Sequence, residues 1–161
     1  MIAMHIREYD ETKDRAGLRR CVIELQDFER NFDPRKPEGS GIADAYIENL
    51  LSKCRRCLGA IFVAEDAGIV VGYTCVLARV RSDDVSDEPR EYALVKDLVV
   101  LSNYRNRGIG RRLLDASEAY ARDHGAACLQ IAALAANAVA RALYTERGFK
   151  EREIILEKPL L

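Results

Sequence analysis

The sequence predicts a mixed α/β chain, in the α/β or α+β class, with helices packed against a sheet. Three observations carry this. Apolar spacing switches along the chain between period two and period 3.6. The runs Ala60 to Glu65 and Ile69 to Val80 flank Asp66-Ala67-Gly68, a hairpin turn. Leu98-Val99-Val100-Leu101 is apolar on both faces, as in a central strand covered by helices.

In order, Ala3 to Glu8 reads as a first strand. Glu11 to Arg30 carries Leu18, Cys21, Val22, Leu25 and Phe28 at helical spacing. Asn31 to Gly41 is rich in Pro, Gly, Asp and Ser and reads as a loop. Ile42 to Cys57 is helical through Ala43, Ile47, Leu50 and Leu51. The hairpin follows, then the acidic connection Ser82 to Pro89 and the strand Glu91 to Leu101. Gly108 to His124 is an amphipathic helix through Ile109, Leu113, Ala116 and Tyr120, with Gly125 as its stop. Cys128 to Ala132 reads as a short strand, Asn137 to Arg147 as a helix closed by Gly148, and Phe149 to Glu157 as a last strand.

At 161 residues, with 48% apolar and 32% charged residues, the chain has ordinary globular composition and the size of one domain, residues 1–161. A formal net charge of −1 gives no reason to expect nucleic acid or an anionic membrane as partner. No apolar run approaches the roughly 18–20 residues that span a bilayer, and Met1 to Asp10 lacks a signal-peptide pattern. The expected location is cytoplasmic. Five scattered cysteines do not read as a disulfide framework. Cys54-Arg-Arg-Cys57 lacks the second ligand pair of a zinc site, so no metal is expected and the pair reads as a helix end with partly packed thiols.

The chemistry lies between Asp97 and Leu114. A strand ends, a turn holds Arg105-x-x-Gly108-x-Gly110, and a helix begins. Backbone N–H groups of a helix start converge on one point, which suits phosphate, and glycines leave room for the anion. Arg105, Arg107, Arg111 and Arg112 add positive charge. The Lys and hydroxyl of a P-loop are missing, and Leu113 stands where GxGxxG needs its third glycine.

The turn resembles the [RQ]xxGxG signature of the GNAT superfamily of N-acetyltransferases. Asn137, Tyr144 seven residues later and Gly148-Phe149 resemble that family's second motif. The resemblance is specific over Leu94 to Phe149 and looser over Met1 to Val80. It implies a mainly antiparallel sheet of six to seven strands, splayed at its centre, and acetyl transfer from acetyl-CoA, without metal, to a primary amine in a ternary complex. The acceptor implied is a small molecule, with a protein amine or a CoA-binding sensor or scaffold as alternatives.

By resemblance, Leu98, Val99 and Val100 pair with the pantetheine arm, and the Val100 N–H polarises the thioester carbonyl. Arg105, Asn106, Arg107, Gly108, Ile109, Gly110 and Arg111 hold the pyrophosphate. Asn137 bonds the cofactor arm, and Tyr144 protonates the departing thiolate. Taken alone, Asn137 reads first as a helix cap and Tyr144 as a packed aromatic; only their joint occurrence with the turn favours the functional roles. A substrate ammonium with a pKa near 10.4 must lose a proton, costing about 4.6 kcal/mol at pH 7. Ala132 stands where many relatives carry a glutamate, so Asp97 is the candidate to bind the amine or deprotonate it through a water; an ion pair or turn contact is its structural alternative. The loop Asn31 to Arg35 and the acids Asp83, Asp84, Asp87 and Glu88 are candidate acceptor-side elements, a solvated loop being the commoner explanation of the acids. Homodimers are common among such relatives, and Pro159-Leu160-Leu161 is an apolar candidate surface for one.

Overall fold

The computed structural model describes residues 4–160. Ala3, expected in the first strand, and Leu161, in the apolar C-terminal end, lie outside the described residues. The order is β1 (His5–Glu8), α1 (Glu11–Arg30), α2 (Gly39–Arg56), β2 (Gly59–Asp66), β3 (Ile69–Arg81), β4 (Glu91–Val100), a 3-10 turn (Ser102–Tyr104), α3 (Ile109–Asp123), β5 (Leu129–Ile131) and α4 (Ala138–Glu146). One sheet runs β1-β2-β3-β4-β5; its pairs are antiparallel except β4 with β5, which is parallel.

Each element follows from its residues. Asp10 accepts from the Thr12 N–H and so caps α1. Its Leu18, Cys21 and Val22 are buried together with Ala43, Ile47 and Leu50 of α2 and with Tyr73, Cys75, Leu77, Val99 and Leu101 on one face of the sheet. Ile109 and Leu113 of α3 pack with Val71 and Ala64 on the other face. Val99 and Leu101 thus face α1 and α2 while Leu98 and Val100 face α3, as the double-sided apolar run requires. The hairpin closes on Ala67 and Gly68, both left-handed at φ +49° and +80°. That is the turn whose twist matches an antiparallel pair.

Two expectations change. The described sheet has five strands, not six to seven. Residues Phe149 to Glu157 form no strand. The Phe149 N–H returns to the Tyr144 carbonyl, and the chain then enters Lys150-Glu151-Arg152-Glu153, four charged residues with no apolar face to bury. Ion pairs of Glu151 with Arg141, Arg152 with Asp87 and Glu157 with Arg35 hold this segment instead. Its Ile154, Ile155 and Leu156 are exposed. Strand β5 offers only a three-residue edge to pair with.

The splay is present. β4 and β5 pair only at Ala93↔Leu129, Leu94↔Gln130 and Val95↔Ile131. From Asp97 to Val100, β4 is paired on its β3 side alone. No described helix is long and apolar enough to cross a membrane.

Candidate active site

The end of β4 is where backbone groups stand open. The Leu101 N–H donates to Val71 on β3 at 2.9 Å. Alternation along a strand then turns the N–H and carbonyl of Val100 to the opposite, unpaired side. Tyr104 and Arg105 close the 3-10 turn on Leu101 and Ser102. Arg105 reaches back: its Nε donates to the Val100 carbonyl at 3.0 Å, and its guanidinium stacks over Phe28 at 5.0 Å and lies 3.6 Å from Glu24.

The turn is shaped by two left-handed residues, Asn106 at φ +61° and Gly108 at φ +75°. Gly108 is the N-cap of α3, and no side chain caps that helix. The first intrahelical bond that the turn receives is Arg112 N–H to the Gly108 carbonyl. The N–H groups of Ile109, Gly110 and Arg111 therefore lack helical partners by geometry. In contrast, Asp10 and Asn137 cap α1 and α4 with their own oxygens. A bare helix start with a positive dipole end is an anion seat. Ile109 is buried and contributes its backbone only, whereas Asn106, Arg107 and Arg111 are exposed.

The arginines are engaged with the protein. Arg107 bonds the Asn103 carbonyl and lies over Tyr104; Arg111 pairs with Glu146 of α4 at 2.6 Å; Arg112 bonds the Met4 carbonyl. Exposed pairs of this kind are worth about 0–1 kcal/mol, so an incoming phosphate can displace them.

Helix α4 stands over the gap. A Cβ added at Gly110 would lie 3.6 Å from Leu143 and 3.9 Å from Val100, which places α4 beside both motifs. Asn137 accepts from the Ala140 N–H at 3.2 Å, the capping role allowed for it. Tyr144 is half-buried with its ring 6.0 Å from that of Phe149. Burial first, and then the charges of Glu29 and Asp97, push its phenol up to about 12.

Asp97 is 7% exposed. Its two oxygens accept from Tyr46 and Tyr73 hydroxyls, each at 2.8 Å, and Thr74 donates to its carbonyl at 3.0 Å. Desolvation raises its pKa, against the Lys96 charge and the two hydroxyls, which lower it. The cause of this placement is a bulge. Val76↔Val95 is followed by Cys75↔Asp97, so Lys96 is the extra residue. The bulge sends Asp97 to the α1/α2 side, where Leu94 already packs, instead of to the α3 side. The sequence missed Tyr46 and Tyr73 as Asp97's partners. Tyr46 does fall at helical spacing with Ala43, Leu50 and Ile47, but nothing in that spacing tells a polar contact from packing.

The remaining candidates lie apart. Cys54 Sγ is 3.7 Å from Cys75 Sγ, not paired with Cys57. Asp84 and Asp87 bond Ser86 and Ser82 within their own turn. Among the described residues, no group of three or more His, Cys, Asp or Glu is placed to hold a metal.

The family described as Acetyltransferase (GNAT) family matches residues 22–149. The chain is 28% identical over 148 residues to the "Uncharacterized N-acetyltransferase YhfO" of Bacillus subtilis (strain 168), covering 92% of this chain and 91% of that protein. A mutant of the BH1408 protein from Bacillus halodurans superposes with a TM-score of 0.82 at 20% identity, over 98% of this chain and all of that one. AAC(6')-Iy in complex with the bisubstrate analog CoA-S-monomethyl-acetylneamine superposes with a TM-score of 0.70 at 20% identity, over 98% of this chain and 99% of that one. At such identity these two structures share the fold.

Proposed function

Because the chain belongs to the GNAT family of acetyltransferases and is an acetyl-CoA-dependent N-acetyltransferase, we propose that one domain transfers acetyl to a primary amine of a small molecule by direct attack in a ternary complex. The observation that carries this reading is the uncapped start of α3 beside the unpaired end of β4. One accepts a pyrophosphate and the other an extended amide chain, and they adjoin through the Arg105 to Gly108 turn.

In this reading the N–H groups of Ile109, Gly110 and Arg111, with Asn106, Arg107 and Gly108 shaping the turn, hold the pyrophosphate. Leu98 to Val100 offer their outward backbone to the pantetheine arm. The Val100 N–H meets the thioester carbonyl as charge builds on its oxygen; a donor of this kind is worth about 2.7–4 kcal/mol. Asn137 keeps its capping bond and offers its amide N–H₂ to the arm. The ammonium first gives a proton to solvent water. The amine nitrogen then forms the new C–N bond, the C–S bond breaks, the sulfur leaves as thiolate, and the proton released from nitrogen as the amide forms passes through water to restore Tyr144. Tyr144 supplies the proton to that sulfur, since burial keeps its phenol protonated. Asp97 acts on the amine through its field and the Tyr46 hydroxyl, not by contact, because it is buried behind the Tyr46 and Tyr73 hydroxyls that it accepts from. A homodimer formed through the exposed C-terminal apolar residues is part of the same proposal.

The test is a thermal shift with acetyl-CoA, CoA and ATP, followed by thiol release with an amine panel. At 100 times Kd the CoA species should stabilise by about 2.7 kcal/mol and ATP should not. No shift with either CoA species removes the cofactor site, and thiol release that requires no amine removes the acceptor half of the proposal.

A further inference from the structure

One carboxylate near this site already holds an amine. Glu29, in the last turn of α1, is half-buried, and its Oε2 lies 2.5 Å from Lys36 Nζ. Lysines normally stand in water. Lys36 is 31% exposed, while its neighbours Pro34, Arg35, Pro37 and Glu38 are exposed. An unbranched alkyl chain, partly withdrawn from solvent, thus ends in an ammonium on Glu29.

The location ties this pair to the site. Glu24 of α1 accepts from the Ser102 N–H just beyond β4, and Phe28 carries the Arg105 guanidinium. Glu29 follows Phe28 directly. Its charge acts on the Tyr144 phenol, the Asp97 carboxyl and the Tyr46 phenol, so it shares one field with the groups expected at the reacting end. Asp97 is buried behind two tyrosine hydroxyls, whereas Glu29 is half-buried and holds an ammonium now.

We infer that Glu29 receives the acceptor amine, and that Lys36 occupies this seat until an unbranched primary alkylammonium, of the diamine or polyamine type, displaces it. The inference rests on the acetyl-transfer reading and gives that site its acceptor class. One ammonium replaces another on the same carboxylate, so the charge of Glu29 stays paired and Lys36 returns to water. A seat formed around a lysine chain fits a straight carbon stem; an amine on a ring carbon is bulkier where it must be slim.

The experiment measures acetyl-CoA thiol release with putrescine and spermidine for the wild type, Lys36→Met and Glu29→Gln, with CoA binding followed by thermal shift. Removing the internal competitor should lower the amine KM about tenfold with kcat within about threefold, and Glu29→Gln should raise KM at least about tenfold, CoA affinity being unchanged in both. A merely structural ion pair predicts the opposite sign or no change for Lys36→Met, and that result overturns the inference, as does a Glu29→Gln KM within about twofold of wild type. If neither amine is acetylated by the wild type or Lys36→Met while CoA still stabilises the fold, the inference falls and the cofactor reading stands. If CoA also fails to stabilise, both fall.

Discussion

Arg105 is bonded back to the strand that delivers it: its Nε donates to the carbonyl of Val100, five residues earlier, at 3.0 Å. The same guanidinium is stacked on Phe28 of α1, so turn, strand end and helix are clipped together. Arg105→Ala should weaken CoA binding about 10-fold or more, since bonds to charged groups are worth about 1.5–3 kcal/mol. The melting temperature should fall little, because the clip is exposed. Calorimetric titration of CoA into both proteins checks this.

Gly108 and Gly110 should separate fold from binding. Gly108 is left-handed at φ +75°, and an added Cβ meets nothing within 4 Å. Gly108→Ala therefore costs conformational energy alone, about 1–2 kcal/mol of stability. Gly110 sits in the helix with ordinary contact distances to Leu143 and Val100. Gly110→Ala should leave the melting temperature near wild type yet lose CoA affinity, because its Cβ would narrow the gap between the helix start, Val100 and Leu143. Equal loss of stability in both variants would contradict this assignment.

Tyr144→Phe should retain CoA binding and lower kcat by about 10²–10⁴, the usual worth of a positioned acid. Burial keeps the wild-type phenol protonated until about pH 12. An ordinary tyrosine is half-ionised near pH 10. The kcat profile should therefore show no basic limb from Tyr144 up to about pH 10; a limb there that vanishes in the phenylalanine variant would refute the role of buried acid.

Asp97 makes a prediction about pH and folding. Its folded-state pKa is raised by desolvation, so the native protein holds this proton more tightly than the unfolded chain. The stabilisation it gives is fullest below its unfolded value, about 3.9, and is lost as pH rises through the folded value. Asp97→Asn should flatten that part of the stability curve. Asp97→Ala should instead cost about 2–5 kcal/mol by leaving the Tyr46 and Tyr73 hydroxyls without their acceptor. Urea titrations across pH 4 to 8, compared among the three proteins, separate these effects.

Period and punctuation revealed most of this architecture. The spacing of Leu18, Cys21, Val22, Leu25 and Phe28 gave α1 its full extent, and Gly125 and Gly148 stand at φ +75° and +88° just past their helices. The Arg105 to Gly110 motif marked the helix start, because its glycines leave the first N–H groups open to approach. The last strand was misread because Ile154-Ile155-Leu156 has strand composition while what decides pairing is an available partner edge. The surroundings of Asp97 were hidden for another reason. A bulge at Lys96 depends on register against β3, and register is a relation between distant segments that no local pattern encodes. The Glu29–Lys36 contact was equally illegible, since a lysine in a polar loop looks like any solvated charge.

The short seam between β4 and β5, three residue pairs long, means the enzyme's two halves are joined weakly where they part. A pantetheine chain seated along Leu98 to Val100 would complete the missing rungs, so the loaded protein should be stiffer than the empty one. Amide hydrogen exchange would record this as slowed exchange at Val100 and across β5 and α4, including residues that the nucleotide end of CoA never reaches. Seen this way, a bound acetyl donor would also be a mechanical part, giving the proposed acceptor a stiffer frame than the empty protein offers.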